Sequence, residues 1–270
     1  MVINILYFTS TGNTLWLARK AKSFMEEEGH TVRLFDAVTA GKEFSENCDM
    51  LGVLYPVWGS NMPDPVRERL EGLPGAEGRK VFLVGNCAVF TGDTGMYWKK
   101  LLGKKGYDAF YIDHLFMPIN INIPGWNLWK VPDEDKKQKI LKEASRRLEK
   151  ICSSVLEGEG KVDGVSPFSR LFGWVQRAGL KPFTDYARKF FICDSDRCTR
   201  CGLCYRMCPV ENIEIDPGKG AVFGDKCILC MKCYNLCPAF AVLVDKASRD
   251  TERYRRYKGP SPDIKPVEYR

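Results

Sequence analysis

The 270-residue chain is long enough for one large or two small domains, and with 44% hydrophobic residues it can bury a core, which excludes a disordered chain and a short disulfide-stapled fold. The 41 basic and 34 acidic side chains give +7; residues 159–270 carry 20 basic and 14 acidic groups, against 21 and 20 in residues 1–158. No apolar run reaches the roughly 18 residues of a bilayer-spanning helix, and Met1–Phe8 lacks the basic flank of a secretory signal, so a cytoplasmic chain without a transmembrane segment is expected.

Val2–Phe8 predicts a buried strand. Thr9, Ser10, Thr11, Gly12, Asn13 and Thr14 follow as a hydroxyl- and glycine-rich turn ahead of the helical pattern Leu15, Leu17, Ala18, Ala21, Phe24, Met25. Strand-length apolar segments recur at Thr31–Phe35, Met50–Leu54, Val81–Gly85 and Ala109–Ile112. Helices are expected between Phe35 and Met50, where the sequence is short and polar, after Pro65 through Leu70, around Met96–Leu102 and over Asp133–Leu156. Five strands alternating with helices predict a doubly wound parallel α/β sheet over residues 1–158. Residues 159–190 are rich in aromatics, and we read them as a packed linker rather than a loose tether. A small α+β domain is expected over 191–248, then a basic helix and tail over 249–270.

Twelve cysteines are unevenly used, because eight lie between Cys198 and Cys237. Cys198, Cys201, Cys204 and Cys208 are spaced by two, two and three residues, with Pro209 next; Cys227, Cys230, Cys233, Cys237 and Pro238 repeat the pattern 29 residues on. Three thiolates at this spacing can surround one iron–sulfur cubane while the fourth is carried toward its neighbour. Two [4Fe–4S] clusters with crossed ligation are therefore expected: one on Cys198, Cys201, Cys204 and Cys237, the other on Cys227, Cys230, Cys233 and Cys208. Tetrahedral zinc would leave a redundant thiolate in each run. Cys193 falls outside the pattern and reads as a free thiol, and Ile213–Phe223 reads as a hairpin covering the clusters. Over Phe190–Lys246 the chain resembles the bacterial two-cluster ferredoxins, which implies low-potential one-electron transfer.

The Thr9–Thr14 turn offers backbone N–H groups and hydroxyls to an anion at a helix start. No Gly-x-Gly-x-x-Gly and no Gly-Lys-Ser/Thr supports a dinucleotide or ATP reading. Here the chain resembles the flavodoxin family, and the resemblance implies FMN with its phosphate on Thr9–Thr14. It also implies that Tyr55, Pro56, Val57, Trp58 and Gly59, together with Asn86, Cys87, Ala88, Gly92 and Asp93, bracket the flavin ring, with Tyr55 or Trp58 stacking on it. Met117-Pro118-Ile119-Asn120 after the fifth strand resembles a further family segment, which implies a place for Met117 and Asn120 on the flavin side of the sheet. The whole order is similar to anaerobe and archaeal flavodoxin-domain proteins fused to a two-cluster ferredoxin. That similarity implies an electron-transfer protein serving a redox-protein donor or acceptor, without a catalytic residue set. The alternative is a reductase of a small organic acceptor in a pocket under Asn86–Thr94 and Met117–Trp129. Two oxidised clusters and an FMN phosphate would bring the net charge to about +1, so no nucleic-acid surface is expected; Arg249–Lys258 is the one basic stretch that could signal otherwise.

Overall fold

The computed structural model describes residues 1–125 and 130–265. The chain forms two compact units. The first comprises Met1–Thr9, Asn13–Met117 and Gln138–Leu180; the second comprises the described residues of Ser10–Gly12, Pro118–Lys137 and Lys181–Arg270.

In the first unit, β1 (Val2–Tyr7), β2 (Thr31–Asp36), β3 (Met50–Pro56), β4 (Lys80–Cys87) and β5 (Asp108–Phe116) pair in parallel in the order β2-β1-β3-β4-β5. This is the flavodoxin-like strand order, whose reversal between β1 and β3 opens a crevice at the carboxyl ends of the strands. The five expected strands are present, and a two-residue sixth, β6 (Lys161–Val162), adds to β5 at the edge; two residues are too few to show a periodic signal. Parallel strands are covered on both faces, so β3, and β1 apart from the buried Asn4, are continuous apolar runs rather than alternating ones.

The helices of this unit are α1 (Asn13–Glu27), α2 (Asp64–Glu71), α3 (Thr94–Lys104) and α4 (Glu134–Leu156, from Gln138 onward). Leu141, Ala144, Leu148, Ile151, Cys152 and Val155 form the buried stripe of α4, at the three- and four-residue spacing that one helix face requires. Its start is capped by Asp133, whose Oδ1 accepts from Lys136 N at 2.8 Å. Between β2 and β3 only a 3₁₀ turn forms, Lys42–Ser45, because the connection is too short for a covering helix.

The segment expected as a linker contains a 21-residue helix, α5 (Pro167–Ala187), followed by a 3₁₀ turn at Arg188–Phe190. Its large apolar side chains are not all packed: Phe168, Leu171 and Trp174 are each at least 65% exposed.

The second unit carries β7 (Phe191–Cys193) antiparallel to β10 (Val242–Val244), and the hairpin β8 (Ile213–Asp216) with β9 (Gly220–Phe223). Two short helices, α6 (Leu203–Met207) and α7 (Lys232–Leu236), are again 29 residues apart. The backbone repeats with them. Positive φ occurs at Arg200 and Leu229, Gly202 and Met231, and Glu211 and Phe240, three pairs at the cysteine offset. The basic helix expected after Arg249 is absent: one 3₁₀ turn, Lys246–Arg249, is followed by turns and extended chain to residue 265, and residues 266–270 of that expectation lie outside the described residues. Burial of Tyr254, Arg256 and Tyr257 explains the irregular path, since their side chains are spent on packing rather than on a solvated helix face.

Candidate functional site

The eight patterned cysteines converge on two cavities of the second unit. One is lined by Cys204, Cys208, Cys227, Cys230 and Cys233, with Ile213, Phe223 and Met231 as apolar walls. The other is lined by Cys198, Cys201, Cys204 and Cys237, with Ile215, Ala239 and Val242. Each cavity thus collects three cysteines of one run and the last cysteine of the other, and Cys204 lines both.

Backbone geometry completes the surroundings. Asn212 N donates to Cys208 Sγ at 3.2 Å, and Ala241 N, 29 residues on, donates to Cys237 Sγ at 3.3 Å. Such N–H groups favour sulfur in its charged state. Burial pushes the Cys204 thiol up to about 11, the Cys227 thiol up to about 12, and the Cys230 and Cys233 thiols upward as well. Metal binding at these groups must therefore displace protons. Four sulfur donors per cavity, dry walls and paired N–H donors fit two four-thiolate iron–sulfur clusters.

Cys193 lies beside this set but does not line either cavity. Its Sγ accepts from Ala221 N at 3.3 Å, and burial, opposed by that N–H and reinforced by Cys198, pushes its thiol up to about 11. Gly220 is the close approach at this point. Its φ is +81°, and a Cβ there would fall 2.8 Å from Cys198 Sγ and 2.9 Å from Cys193 Sγ.

In the first unit, Asn86 organises the carboxyl end of the sheet. Its Nδ2 donates to Thr14 Oγ1 at 2.8 Å and to Tyr55 O at 3.0 Å, and its carbonyl accepts from Val57 N at 2.9 Å. One side chain thereby fixes the start of α1 against the end of β3. Trp58 and Asn61 exchange two backbone hydrogen bonds of 2.9 Å each, closing a turn through Gly59 and Ser60, both at positive φ. Trp58 is partly exposed and meets Phe8 edge-on at 5.7 Å.

Tyr55 corrects the expected stacking role. It is 2% exposed, inside β3, and burial pushes its phenol pKa upward, so only Trp58 of the two rings reaches the surface. The strand is central to a sheet covered on both faces, which is why its ring is core. Pro56 is buried at the strand end, Ala88 is exposed, and Cys87 is 8% exposed with its thiol pushed up to about 12 by burial. Met117, 3% exposed, donates its N–H to Cys87 O at 2.8 Å.

Gly92 and Asp93 are held by residues that the sequence did not single out. Arg177 of α5 grips Asp93 with both terminal nitrogens, Nη1 to Oδ1 at 2.5 Å and Nη2 to Oδ2 at 3.1 Å, and Nη1 also donates to Ser60 O at 3.0 Å. Ser60 Oγ donates to Gln176 Oε1 at 2.5 Å. A side chain at Gly92, φ +59°, would overlap Ser60 Oγ. The first half of α5 therefore clamps the Trp58–Ser60 turn to the Gly92–Asp93 turn. No local pattern could have announced Arg177, whose partner lies 84 residues earlier.

Within the Thr9–Thr14 turn, Thr9, Ser10, Thr11 and Thr14 are all buried, Asn13 opens α1, and Gly12 has φ +99°. Ser10 Oγ is buried with no hydrogen-bond partner among the described residues. An orphaned hydroxyl there fits a phosphate acceptor, since a buried donor left unmade costs about 1–3 kcal/mol. In the second unit, Thr11 Oγ1 accepts from Asn120 Nδ2 at 3.0 Å, and Asn120 O accepts from Asn235 Nδ2 at 2.8 Å. Of the alternative substrate pocket, Met117–Gly125 is described, while residues 126–129 lie outside the described residues. A third titratable group, Asp113, His114 and Asp163, has its Asp113 carboxylate occupied by Arg147 at 2.8 Å and Lys161 at 2.6 Å.

Comparisons with known proteins follow this division. Residues 191–238 match the family model of the 4Fe-4S dicluster domain. No match was found among curated proteins. Solved structures similar to this chain include a flavodoxin from Streptococcus pneumoniae TIGR4 at 15% identity and TM-score 0.43, covering 58% of this chain and 99% of its own. A Fusobacterium nucleatum flavodoxin variant bound to flavin mononucleotide is 20% identical with TM-score 0.42, covering 58% and 96%. An archaeal flavodoxin is 14% identical with TM-score 0.40, covering 57% and 99%. No described helix is long and apolar enough to cross a membrane. The chain joins a flavodoxin-like α/β sheet to a smaller α+β segment that matches the 4Fe-4S dicluster family over residues 191–238.

Proposed function

We propose that this chain is an electron-transfer protein that binds one FMN and two [4Fe–4S] clusters and relays electrons between redox-protein partners. The carrying observation is the gathering of eight cysteines around two cavities, each lined by a crossed set of four, with Cys204 lining both. A cubane takes one thiolate at each of its four irons; a four-cysteine zinc site uses the same donors, and the metal analysis below separates the two. The cofactors supply the redox chemistry when bound, single-electron steps at iron and one- or two-electron steps at flavin.

The chain's own residues do the rest. The cysteines would hold iron as thiolates, Asn212 and Ala241 would donate N–H bonds to sulfur, and Ile213, Ile215 and Val242 would keep water away, all of which tune cluster potential. Ser10 and Thr14 would donate to the FMN phosphate, and Thr14 can do so because the Asn86 amide uses it only as an acceptor. Trp58 would lie against the flavin ring, with the Gly59 and Gly92 turns fixed by Gln176 and Arg177. The assay is anaerobic purification with iron, acid-labile sulfide and flavin analysis. About eight iron, eight sulfide and one FMN per chain are expected; zinc in place of iron, or a chain that takes up no flavin, would overturn this reading.

A further inference from the structure

The segment read as a packed linker leaves one face of α5 bare. Within Pro167–Leu180, the part of the helix that belongs to the first unit, the side chains divide by direction. Gly173 is buried, Gln176 accepts from Ser60 and Arg177 grips Asp93. Phe168, Leu171, Phe172, Trp174 and Val175 take the other side and are 40–68% exposed. Four of them fall at i, i+3, i+4 and i+7, a single helical stripe, with Trp174 at its edge. The stripe continues onto the loop after β4: Phe168 stacks on Phe172 at 5.9 Å, and Phe172 meets Phe90 edge-on at 5.0 Å. Because Gln176 and Arg177 are tied down, the helix cannot roll to bury this face.

Size and charge narrow what can cover it. Aromatic side chains present about 150–250 Å² each, so three of them with Leu171 and Val175 leave a patch on the order of 500 Å², short of the roughly 800 Å² per partner of a stable protein interface. Residues 165–190 carry five basic side chains, Arg170, Arg177, Lys181, Arg188 and Lys189, against one acidic, Asp185. Arg177 is spent on Asp93, but Arg170 is exposed one turn before Trp174, at the margin of the stripe. Phe, Leu and Trp on one face with arginine beside them suit a helix lying in the plane of a lipid interface, and the basic excess complements an anionic leaflet. No described helix is long and apolar enough to cross a membrane, so the contact would lie on the bilayer rather than through it.

We propose that the exposed face of α5 seats this protein on the surface of an anionic lipid bilayer, with Phe168, Leu171 and Trp174 entering the headgroup region and Arg170 meeting lipid phosphate. Apolar burial supplies the hold, and the basic residues supply the preference for negative lipid. A fluid surface closes around a protruding helix without a matching groove, which a rigid protein partner would need. The proposal stands independently of the cofactors, since none of these side chains is assigned to holding them.

The test is flotation of the full chain, purified anaerobically, with extruded vesicles of phosphatidylcholine alone or mixed with phosphatidylglycerol. Wild type is compared with the double variant Leu171→Ser, Trp174→Ser and with Arg170→Glu; all three side chains are exposed, and denaturant midpoints matching wild type check that the variants fold. Wild type is expected to float with the mixed vesicles, more weakly with neutral ones, and to be released as salt rises. The double variant is expected to lose at least about tenfold in partition, since two large apolar side chains no longer leave water. Arg170→Glu is expected to lose about fivefold on mixed vesicles and little on neutral ones. Wild type absent from the floated fraction, a double variant that floats equally well, or equal partition on neutral and mixed vesicles would overturn the proposal. A dimer in light scattering that the double variant abolishes would instead assign the face to a second copy of the chain.

Discussion

Gly220→Ala isolates the backbone approach at one cluster. Gly220 has φ +81°, and a methyl group there would lie 2.8 Å from Cys198 Sγ, 3.0 Å from Cys198 Cβ and 2.9 Å from Cys193 Sγ. The left-handed conformation costs a non-glycine residue about 1–2 kcal/mol, and forcing a methyl into a packed site adds about 1–3 kcal/mol. Lower chain entropy in the unfolded state returns about 0.4–1 kcal/mol. The net loss is roughly 1–5 kcal/mol, centred on Cys198 rather than spread through the module. Iron analysis and EPR of the anaerobically loaded variant should show selective loss or distortion of the cluster on Cys198, Cys201, Cys204 and Cys237. Gly218→Ala, two residues away in the same hairpin, is the control, since its added carbon meets only Asp216 Oδ1 at 3.4 Å. If Gly220→Ala binds both clusters with unchanged spectra and unfolds at the wild-type denaturant midpoint, the argument from close approach is wrong.

Other expectations separate the sites. Cys208→Ala and Cys237→Ala should damage different clusters, each the one nucleated by the other run; iron counts with EPR decide this, and loss of the same cluster in both variants would contradict the crossed sets. Ser10→Ala combined with Thr14→Val should weaken FMN more than riboflavin in fluorescence titrations, because only FMN carries the phosphate; equal weakening would place the phosphate elsewhere. Asn86→Leu should cost about 1–3 kcal/mol in denaturant unfolding, as Tyr55 O and Thr14 Oγ1 lose a buried donor. For Asp163, the hydrogen bond from His114 is the largest of the causes that lower its pKa, from 3.8 to about 2, against the opposing effect of burial. A depressed carboxylate stabilises the fold above its unfolded pKa and loses that contribution as pH falls from about 3.8 toward 2. Discounted for a side chain 38% exposed, the contribution is about 1 kcal/mol. Thermal melts between pH 5 and 2 should therefore show Asp163→Asn losing less stability on acidification than wild type, and parallel losses would refute it.

What the sequence makes legible here is what repeats. Apolar strand runs alternating with helical stripes give the sheet, and the 29-residue offset between cysteine runs gives the sets that the structure gathers in two cavities. The same offset governs left-handed backbone at Arg200 and Leu229 and at Gly202 and Met231. Only one of those four is glycine, so composition does not reveal them. Arg256 misleads for a related reason. In a run of arginines it resembles a solvated face, and only the packing of Tyr234 makes it a buried cation. Tyr55 misleads in the opposite direction, since an aromatic at a strand end reads equally as a stacking ring or as core, and burial on both faces of β3 makes it core. Arg177 and Gln176 were invisible because their targets, Asp93 and Ser60, are set by the path of α5 rather than by any local spacing.

Central to the proposed function is electron exchange between flavin and clusters held in one chain. Stopped-flow absorbance after rapid reduction of one cofactor in the fully loaded protein tests it most directly, because cluster and flavin bands can be followed separately. First-order transfer to the other cofactor is expected at a rate independent of protein concentration, as an intramolecular step requires. Transfer that rises in proportion to concentration, or that starts only when an external carrier is added, would contradict it.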